Sequence, residues 1–220
     1  MVSVDTVYQK VLAFANKEQR GYITPQEFNL FADQAQKEIF EQYFYDLNQF
    51  SRTPGNSSEY SNVIDNINEK IAPFETVGTG INLASNLYRL GTVTVSGREV
   101  EEVQPNELLY MNNSAISKPT NNRRVYVRTG PLTIVVTPTT ASVSYTYIRL
   151  PKKPTWGYVV IGTKALWDGG DYSVDFEIHA SEESELVYKI LKYAGLSMKR
   201  QDISAGGQGL ESLLTQQEKQ

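Results

Sequence analysis

The chain has 220 residues, of which 40% are hydrophobic and 21% charged, with a formal net charge of −4 and no cysteine. Such a composition is typical of a soluble globular protein, and the lack of cysteine excludes disulfides, thiolate metal sites and cysteine nucleophiles. The acidic balance disfavours a general affinity for nucleic acid. We find neither a signal-peptide pattern nor an apolar run that could span a bilayer, so we predict no membrane partner.

The first fifty residues predict two helices, the second of them unusually long. Thr24 is a good N-cap, Pro25 stands at the first helical position, and the Glu27 side chain can reach back to the N–H of the cap. No Gly or Pro follows until Pro54, so we predict a helix over 25–50 that is roughly 39 Å long. This length favours a strut in an assembly or bundle.

The loop before this helix partly matches a calcium-binding EF-hand. Gly21, Ile23 and Glu27 fall at positions 6, 8 and 12 of that pattern. Arg20, however, stands at position 5, where calcium needs an oxygen ligand, and Asn16 supplies only an amide at position 1. We therefore predict no metal site, since a loop that enters a helix needs a glycine and a cap in any case.

The long helix has a wider apolar face than one neighbour can cover. Phe40, Phe44 and Tyr45 widen its main stripe, and tyrosine, with 14 copies in the chain, is favoured at interfaces. Two interpretations stay open: the three aromatics contact a neighbouring subunit, or they cover another part of the same chain. They are candidate interface residues. The main stripe consists of Phe28, Phe31, Ala32, Ala35, Ile39, Tyr43, Leu47 and Phe50.

The middle of the chain, 74–161, changes to the period-two pattern of strands. Ser96 and Gly97 predict a tight turn between two strands, and Gln104 precedes a short helical turn. We expect an α+β fold, in which N- and C-terminal helices form a helical part around a central antiparallel β-sandwich or open barrel. The predicted domains are 1–73, 74–161 and 162–220, and further strands are predicted near 124–128, 132–137 and 142–149.

The last part, 162–220, is predicted to be helical again. Ser181 is a candidate cap for a helix that begins with two glutamates and ends at Gly195. A second helix over about 208–218 has a weak start and a polar end, so we expect it to order on a partner. Its candidate docking residues are Leu210, Leu213 and Leu214.

No catalytic constellation is visible in the sequence. A metal-dependent enzyme built on Asp168, Asp171, Asp175 and the single histidine, His179, is one alternative, but Asp-Gly-Gly-Asp is equally good turn chemistry. No glycine pattern matches a phosphate-binding loop. We predict a protein that is not an enzyme and that uses no cofactor.

Segments at both ends of the chain resemble a known class of protein. They are GYITPQEFN and AQKEIFEQYF near the amino terminus, YIRLPKKPTWGY over Tyr147 to Tyr158, and DFEIHASEESELVYKILKYAGL further on. Together they resemble virion structural proteins of tailed bacteriophages, and most closely the ring-forming neck and tail proteins of short-tailed, crAss-like phages. Most of 51–138 lies outside the resemblance.

The resemblance implies a head–tail connector, or adaptor, in the neck of a virion that is synthesised in the cytoplasm of a host bacterium. Such a subunit forms a ring, commonly twelve-fold, between the portal protein and the tail. Its expected partners are copies of itself, the portal and other neck or tail proteins, with DNA only passing through the channel. Head-to-tail ring contacts join two different faces of the subunit.

Two further expectations concern aromatic residues. Trp156, with Pro151 and Pro154, is predicted to fix the exit from the β part and is also a candidate interface residue. The alternative function is a tail or baseplate module that binds a glycan or receptor through stacked aromatics in the β part. Its candidate residues, which are equally good cross-strand pairs, are Tyr126, Tyr145 and Tyr147.

Overall fold

The computed structural model describes residues 1–16, 23–52, 58–140, 142–197, 207–213 and 216. Its class is α+β, which confirms the sequence-based prediction. The chain divides into two compact units, one formed by Met1–Pro73 with Pro151–Gln220 and the other by Phe74–Leu150. The two ends of the chain thus build one helical unit, and the β unit occupies the sequence between them.

Most elements follow one another in the order that the sequence patterns predict, but the strands over 75–79, 158–161 and 164–167 were not predicted. The helices are α1 (Val4–Asn16), α2 (Pro25–Arg52), α3 (Ser58–Ile71), α4 (Pro105–Asn113) and α5 (Glu183–Ser197), and residues 207–213 are also helical. The strands are β1 (Glu75–Thr79), β2 (Leu87–Val95), β3 (Arg98–Glu102), β4 (Val125–Gly130), β5 (Thr133–Thr137), β6 (Val143–Arg149), β7 (Tyr158–Ile161) and β8 (Lys164–Trp167).

Helix α2 begins with the predicted capping box. The backbone N–H of Thr24 donates to Glu27 Oε2 over 3.0 Å, and the N–H of Glu27 donates back to Thr24 Oγ1 over 3.3 Å. These hydrogen bonds satisfy donors that a bare helix end would leave unpaired. Hydrogen bonding to Thr24 also holds the pKa of Glu27 below its ordinary value of 4.5.

The core of the helical unit is formed where α2 packs against α3 and α5 and where α1 packs against α5. Most residues of the predicted apolar stripes are buried there, because one face of each helix points to its neighbours. Full burial of such side chains stabilises the fold by about 1.5–3 kcal/mol each. They include Val7, Val11, Phe28, Ala32, Ile39, Leu186, Val187 and Ile190.

The segment after β6 belongs to the helical unit, so the predicted boundary at residue 161 is corrected to Leu150. The fully buried amide of Gln36 on α2 explains why. Its Nε2 donates to the carbonyl oxygen of Lys152 over 2.8 Å, and its Oε1 accepts the N–H of Glu177 over 3.0 Å. Glu177 in turn accepts the N–H of Lys152 over 2.8 Å. Gln36 therefore ties two extended segments to α2.

The start of α5 also differs from the prediction. A short 3₁₀ turn, Ala180–Glu182, precedes the helix and is capped by His179 rather than by Ser181. The His179 side chain accepts the backbone N–H of Ser181 over 3.3 Å, since an imidazole nitrogen can serve as a cap acceptor. The predicted helix end at Gly195 is also wrong, since Gly195 lies inside α5, which continues to Ser197. A glycine favours a helix end but does not by itself terminate a helix.

The β unit is a curled six-stranded sheet with the order β1-β6-β2-β3-β4-β5. Neighbouring strands are antiparallel, as predicted, except that β3 and β4 pair in parallel. The parallel pair is possible because α4 lies in the connection between these strands and lets the chain cross over. Residues 81–83 hydrogen-bond to β5, with Ile134 N–H donating to the carbonyl of Ile81 over 3.0 Å. The curled sheet is thus a half-barrel, and the short segment that follows β1 hydrogen-bonds to the β5 edge.

The predicted hairpin of β2 and β3 is confirmed. Val95 pairs with Arg98, and the two residues between them have positive φ angles, 52° at Ser96 and 75° at Gly97. Two such angles are the signature of a type I′ turn, whose twist matches that of the flanking strands.

Candidate interaction surfaces

Two of the three aromatics proposed as interface residues on α2 are core residues. Phe40 and Phe44 are buried within the chain, and their rings meet edge to face with centroids 5.0 Å apart. Their assignment as surface contacts is corrected, because α2 has helical neighbours on more than one side. Tyr45 remains 61% exposed and keeps its candidacy.

Trp156 is a buried anchor of the helical unit. Its indole Nε1 donates to Asp5 Oδ1 over 2.9 Å, and its ring centroid lies 4.2 Å from that of Tyr8. The side-chain amide of Asn29 brackets its backbone, accepting the Trp156 N–H over 2.7 Å and donating to the carbonyl over 3.3 Å. Trp156 thus acts in the fold, which was the first of its two interpretations from the sequence, and it is not a surface contact.

The helical stretch 207–213 lies against α5 and leaves its leucines outward. Leu210 and Leu213 are both exposed, and Leu214 falls outside the described residues. The contact with α5 is polar: Glu211 accepts from Lys189 Nζ over 2.6 Å and from Lys192 Nζ over 3.1 Å. The exposed leucines therefore stay available for docking.

Lys189, which is buried, is the centre of a charge cluster whose carboxylates are partly buried. Besides Glu211 it lies 3.4 Å from Glu185 and 3.6 Å from Glu38. Burial alone would lower the pKa of Lys189, but these carboxylates outweigh it and the pKa is raised. For Glu211 the signs are reversed. Burial alone would raise the pKa of its carboxyl group, but hydrogen bonds from Lys189 and Lys192 outweigh burial and lower that pKa below its ordinary value. The cluster borders a cavity of about 280 Å³ between α2, α3 and α5.

The hairpin of β7 and β8 is the feature that sequence reasoning missed. Ile161 pairs with Lys164 across a two-residue turn of Gly162 and Thr163, and Gly162 has a φ of 67°. A glycine of positive φ at the first turn position is typical of a type II′ hairpin. Gly-Thr between two short apolar runs was the signal that could have revealed it.

This hairpin exposes apolar side chains on both of its faces. Because side chains alternate along a strand, one face carries Val159, Ile161 and Leu166, and the other carries Val160 and Trp167. All five are 47–64% exposed. Lys164 is the only charged residue from 158 to 167. Among the described residues, β7 and β8 pair only with each other, so each strand also has a free backbone edge.

The base of the hairpin is rigidly held. The Asp168 carboxylate accepts the N–H groups of Gly170 and Tyr172 over 2.8 and 2.7 Å, and the Ser173 hydroxyl over 3.1 Å. A Cβ at Gly157 would overlap the Asp168 side chain, so only glycine fits there. An isolated two-stranded hairpin is marginal in water, and this base fixes its direction.

Three of the four residues considered for an enzyme make structural hydrogen bonds, and the fourth, Asp171, is exposed. Asp168 organises the turn described above, Asp175 Oδ1 accepts the N–H of Val4 over 2.8 Å, and His179 caps the 3₁₀ turn. Within the part of the chain that the structure describes, no three His, Cys, Asp or Glu side chains are grouped so that they could hold a metal ion.

The three tyrosines considered for glycan stacking are core residues of the β unit. Tyr126, Tyr145 and Tyr147 are all buried, and the last two have ring centroids 5.6 Å apart. Burial, followed by the hydrogen bond that the Tyr126 hydroxyl donates to Glu102, raises the pKa of Tyr126 to about 12. A sugar ring has no access to these faces, so the stacking site is corrected to core packing, in which Tyr145 and Tyr147 are neighbours on the same strand, β6.

Comparison with models of known protein families found no match, and comparison with curated protein sequences found none at a significant level. None of the helices in the described ranges combines the length and apolar character needed to cross a membrane.

Proposed function

We propose that the protein is a virion structural protein, a head–tail connector subunit that forms a ring between the portal and the tail of a bacteriophage. The observation that supports assembly is the β7–β8 hairpin, which is held by hydrogen bonds at its base and leaves five apolar side chains about half exposed on its two faces. The resemblance of segments at both ends of the chain to neck and tail ring proteins supports the kind of assembly.

The exposed area of the hairpin is large enough to contribute substantially to a contact. Full burial of a large apolar side chain is worth about 1.5–3 kcal/mol, and the five hairpin side chains are about half exposed. A partner that covered them would therefore gain on the order of 5 kcal/mol before the cost of association. An exposed, flat, apolar strand edge is otherwise a liability in a monomer.

The partner that best fits the hairpin is a neighbouring copy of this chain. The only charged side chain of the hairpin is Lys164, which is positive. The chain as a whole carries a net charge of −4, so a neighbouring copy offers the opposite charge. The free backbone edge can add to a neighbour's sheet, as in β-augmentation. A contact between a hairpin and a different face of the next subunit is heterologous and closes into a ring when the rotation permits.

Native mass spectrometry of the purified chain, alone and with the portal protein from the same genome, tests the proposal. We expect the wild-type chain to form a closed ring. The ring should be less stable in Ile161→Thr, because this change replaces an exposed apolar side chain of the hairpin by a smaller polar one. The matched control is Ile116→Thr, the same change at a residue that is 97% exposed in the β unit. If the two variants form rings of equal stability, the hairpin does not contribute to the contact between subunits.

A second measurement tests the place of the protein in the particle. Quantitative mass spectrometry of purified virions is expected to find this chain at the copy number of the portal or at a simple multiple of it. Absence of the chain from the virion would refute the connector proposal, even if the isolated protein forms rings.

A further inference from the structure

A polar cavity of about 240 Å³ opens at one end of the sheet in the β unit. One wall is the β2–β3 turn, and the other is the loop that leads into β4. Its polar lining consists of Ser96, Arg98, Glu99, Asn121, Asn122 and Arg124. The two arginines are 26 residues apart in sequence, and the pairing of β3 with β4 brings their strands together.

Neutral groups hold both guanidinium groups in place. Arg98 Nη1 donates to Asn122 Oδ1 over 3.0 Å. Arg124 donates through Nε to the carbonyl of Asn121, through Nη2 to Asn121 Oδ1 and through Nη1 to the carbonyl of Pro138, each over 3.3 Å. Among the described residues, no carboxylate forms an ion pair with either arginine, so both positive charges remain available to a ligand.

The backbone of both walls is fixed by tight turns. The type I′ turn at Ser96 and Gly97 forms one wall. In the other, Thr120 and Arg123 exchange two backbone hydrogen bonds of 3.0 and 3.1 Å, and Thr120 Oγ1 also accepts the Arg123 N–H over 3.3 Å. A cavity with such walls loses little conformational freedom when a ligand binds.

We propose that this cavity binds a singly charged phosphate ester, as found in a phosphodiester. Guanidinium groups match the oxygens of phosphate in geometry and charge, and asparagine amides and a serine hydroxyl add neutral donors. Arg98 and Arg124 contribute two positive charges and Glu99 one negative charge, which leaves a net charge of +1 for a monoanion. Glu99 disfavours the dianion of a phosphate monoester.

Two sources supply this chemistry, the backbone of a nucleic acid and a free phosphodiester. Anion binding by one subunit does not require a ring, so it can be tested on the dispersed protein. In ¹H–¹⁵N spectra at constant ionic strength, dimethyl phosphate is expected to cause saturable shifts of the Arg98 Nε–H and of the Asn121 and Asn122 amides. Acetate and chloride are the comparison anions.

Three variants locate the site. Arg98→Gln is expected to lower the affinity for dimethyl phosphate about tenfold, which corresponds to about 1.4 kcal/mol, because it removes a charged hydrogen-bond donor. Glu99→Gln is expected to raise the affinity several-fold, because it removes the repelling charge. Arg128→Gln is the matched control. It lies in the same unit, bonds the carbonyl of Pro131 and does not line the cavity, and its affinity should equal that of the wild type.

Fluorescence anisotropy with a duplex of about 20 base pairs separates the two sources. Nucleic acid is the source if the duplex binds, if Arg98→Gln weakens binding, and if that variant lowers the salt slope by about 0.9 per lost phosphate contact. Saturable binding of dimethyl phosphate without duplex binding identifies a free diester. The inference is overturned if dimethyl phosphate gives no saturable shift, if Arg98→Gln and Glu99→Gln bind like the wild type, or if acetate binds equally well, which would indicate a protein carboxylate as the ligand.

Discussion

Replacement of Gln36 by leucine is expected to destabilise the helical unit strongly. Gln36 has no exposed surface, and its amide satisfies the carbonyl of Lys152 and the N–H of Glu177 at 2.8 and 3.0 Å. Leucine fills most of the space but offers neither a donor nor an acceptor. Each backbone group left without its partner costs about 1–3 kcal/mol. The gain from the more apolar side chain offsets part of this, so the expected loss is about 2–4 kcal/mol.

Urea denaturation followed by tryptophan fluorescence measures this loss. Because the two units can unfold separately, the signal must come from the helical unit alone. Trp156 and Trp167 are the only tryptophans and both belong to the helical unit, so tryptophan fluorescence reports on that unit. A Trp167→Phe background leaves the buried Trp156 as the single probe. For a chain of this size the same loss corresponds to a melting temperature roughly 5–15 °C lower.

The matched control is Gln42→Leu on the same helix. Gln42 is only partly buried and donates to Asp46 over 2.9 Å, so its replacement should change stability by less than about 0.5 kcal/mol. If Gln36→Leu changes the free energy of unfolding by less than 1 kcal/mol, or by no more than the control does, Gln36 does not hold the two segments.

Three further predictions concern the helical unit. Trp156→Phe removes the hydrogen bond to Asp5 but keeps the aromatic packing, so it should cost about 1–2 kcal/mol in urea denaturation followed by circular dichroism, because the fluorescent probe is itself replaced; an unchanged midpoint would contradict that bond. Thr24→Ala should cost about 1 kcal/mol through loss of the N-cap. Since the pKa of Glu27 is lowered in the fold, its contribution is present above pH 4.5 and is lost as the pH falls through the folded-state pKa, and Thr24→Ala should show a shallower loss of stability below pH 4.5. Glu211→Gln should weaken the hold of two α5 lysines on 207–213, seen as faster amide hydrogen exchange in that stretch; exchange at the wild-type rate would show that apolar contacts hold it instead.

The sequence alone determined the features that depend on near neighbours along the chain. Three such features are the capping box at Thr24 and Glu27, the apolar stripes of the helices, and the turn at Ser96 and Gly97. Each of them is encoded by residues that lie close together in the sequence. Local signals of this kind act through i, i+3 and i, i+4 spacing and through the φ angles that a turn requires. They were sufficient to predict the α+β class and most of its helices and strands, but not β1 or the hairpin of β7 and β8.

Only the tertiary structure decided which apolar residues face the solvent. The aromatic face of α2 looked available in the sequence, but packing against α3 and α5 buries Phe40 and Phe44 and leaves Tyr45 outside. The β7 strand of the β7–β8 hairpin has the continuous apolar run of a buried strand, yet the described chain leaves the large apolar side chains of the hairpin about half exposed. A hydrophobic pattern states that a side chain gains from burial, but not which surface will bury it.

Long-range partners were equally beyond the sequence. Gln36 meets Lys152 and Glu177 across more than a hundred residues, and the crossover through α4 places Arg98 beside Arg124. Such pairs depend on how whole elements pack and on the sum of many weak contacts, so no short segment encodes them. Local sequence signals therefore determine most of the secondary structure, whereas tertiary packing determines which residues form the candidate binding surfaces.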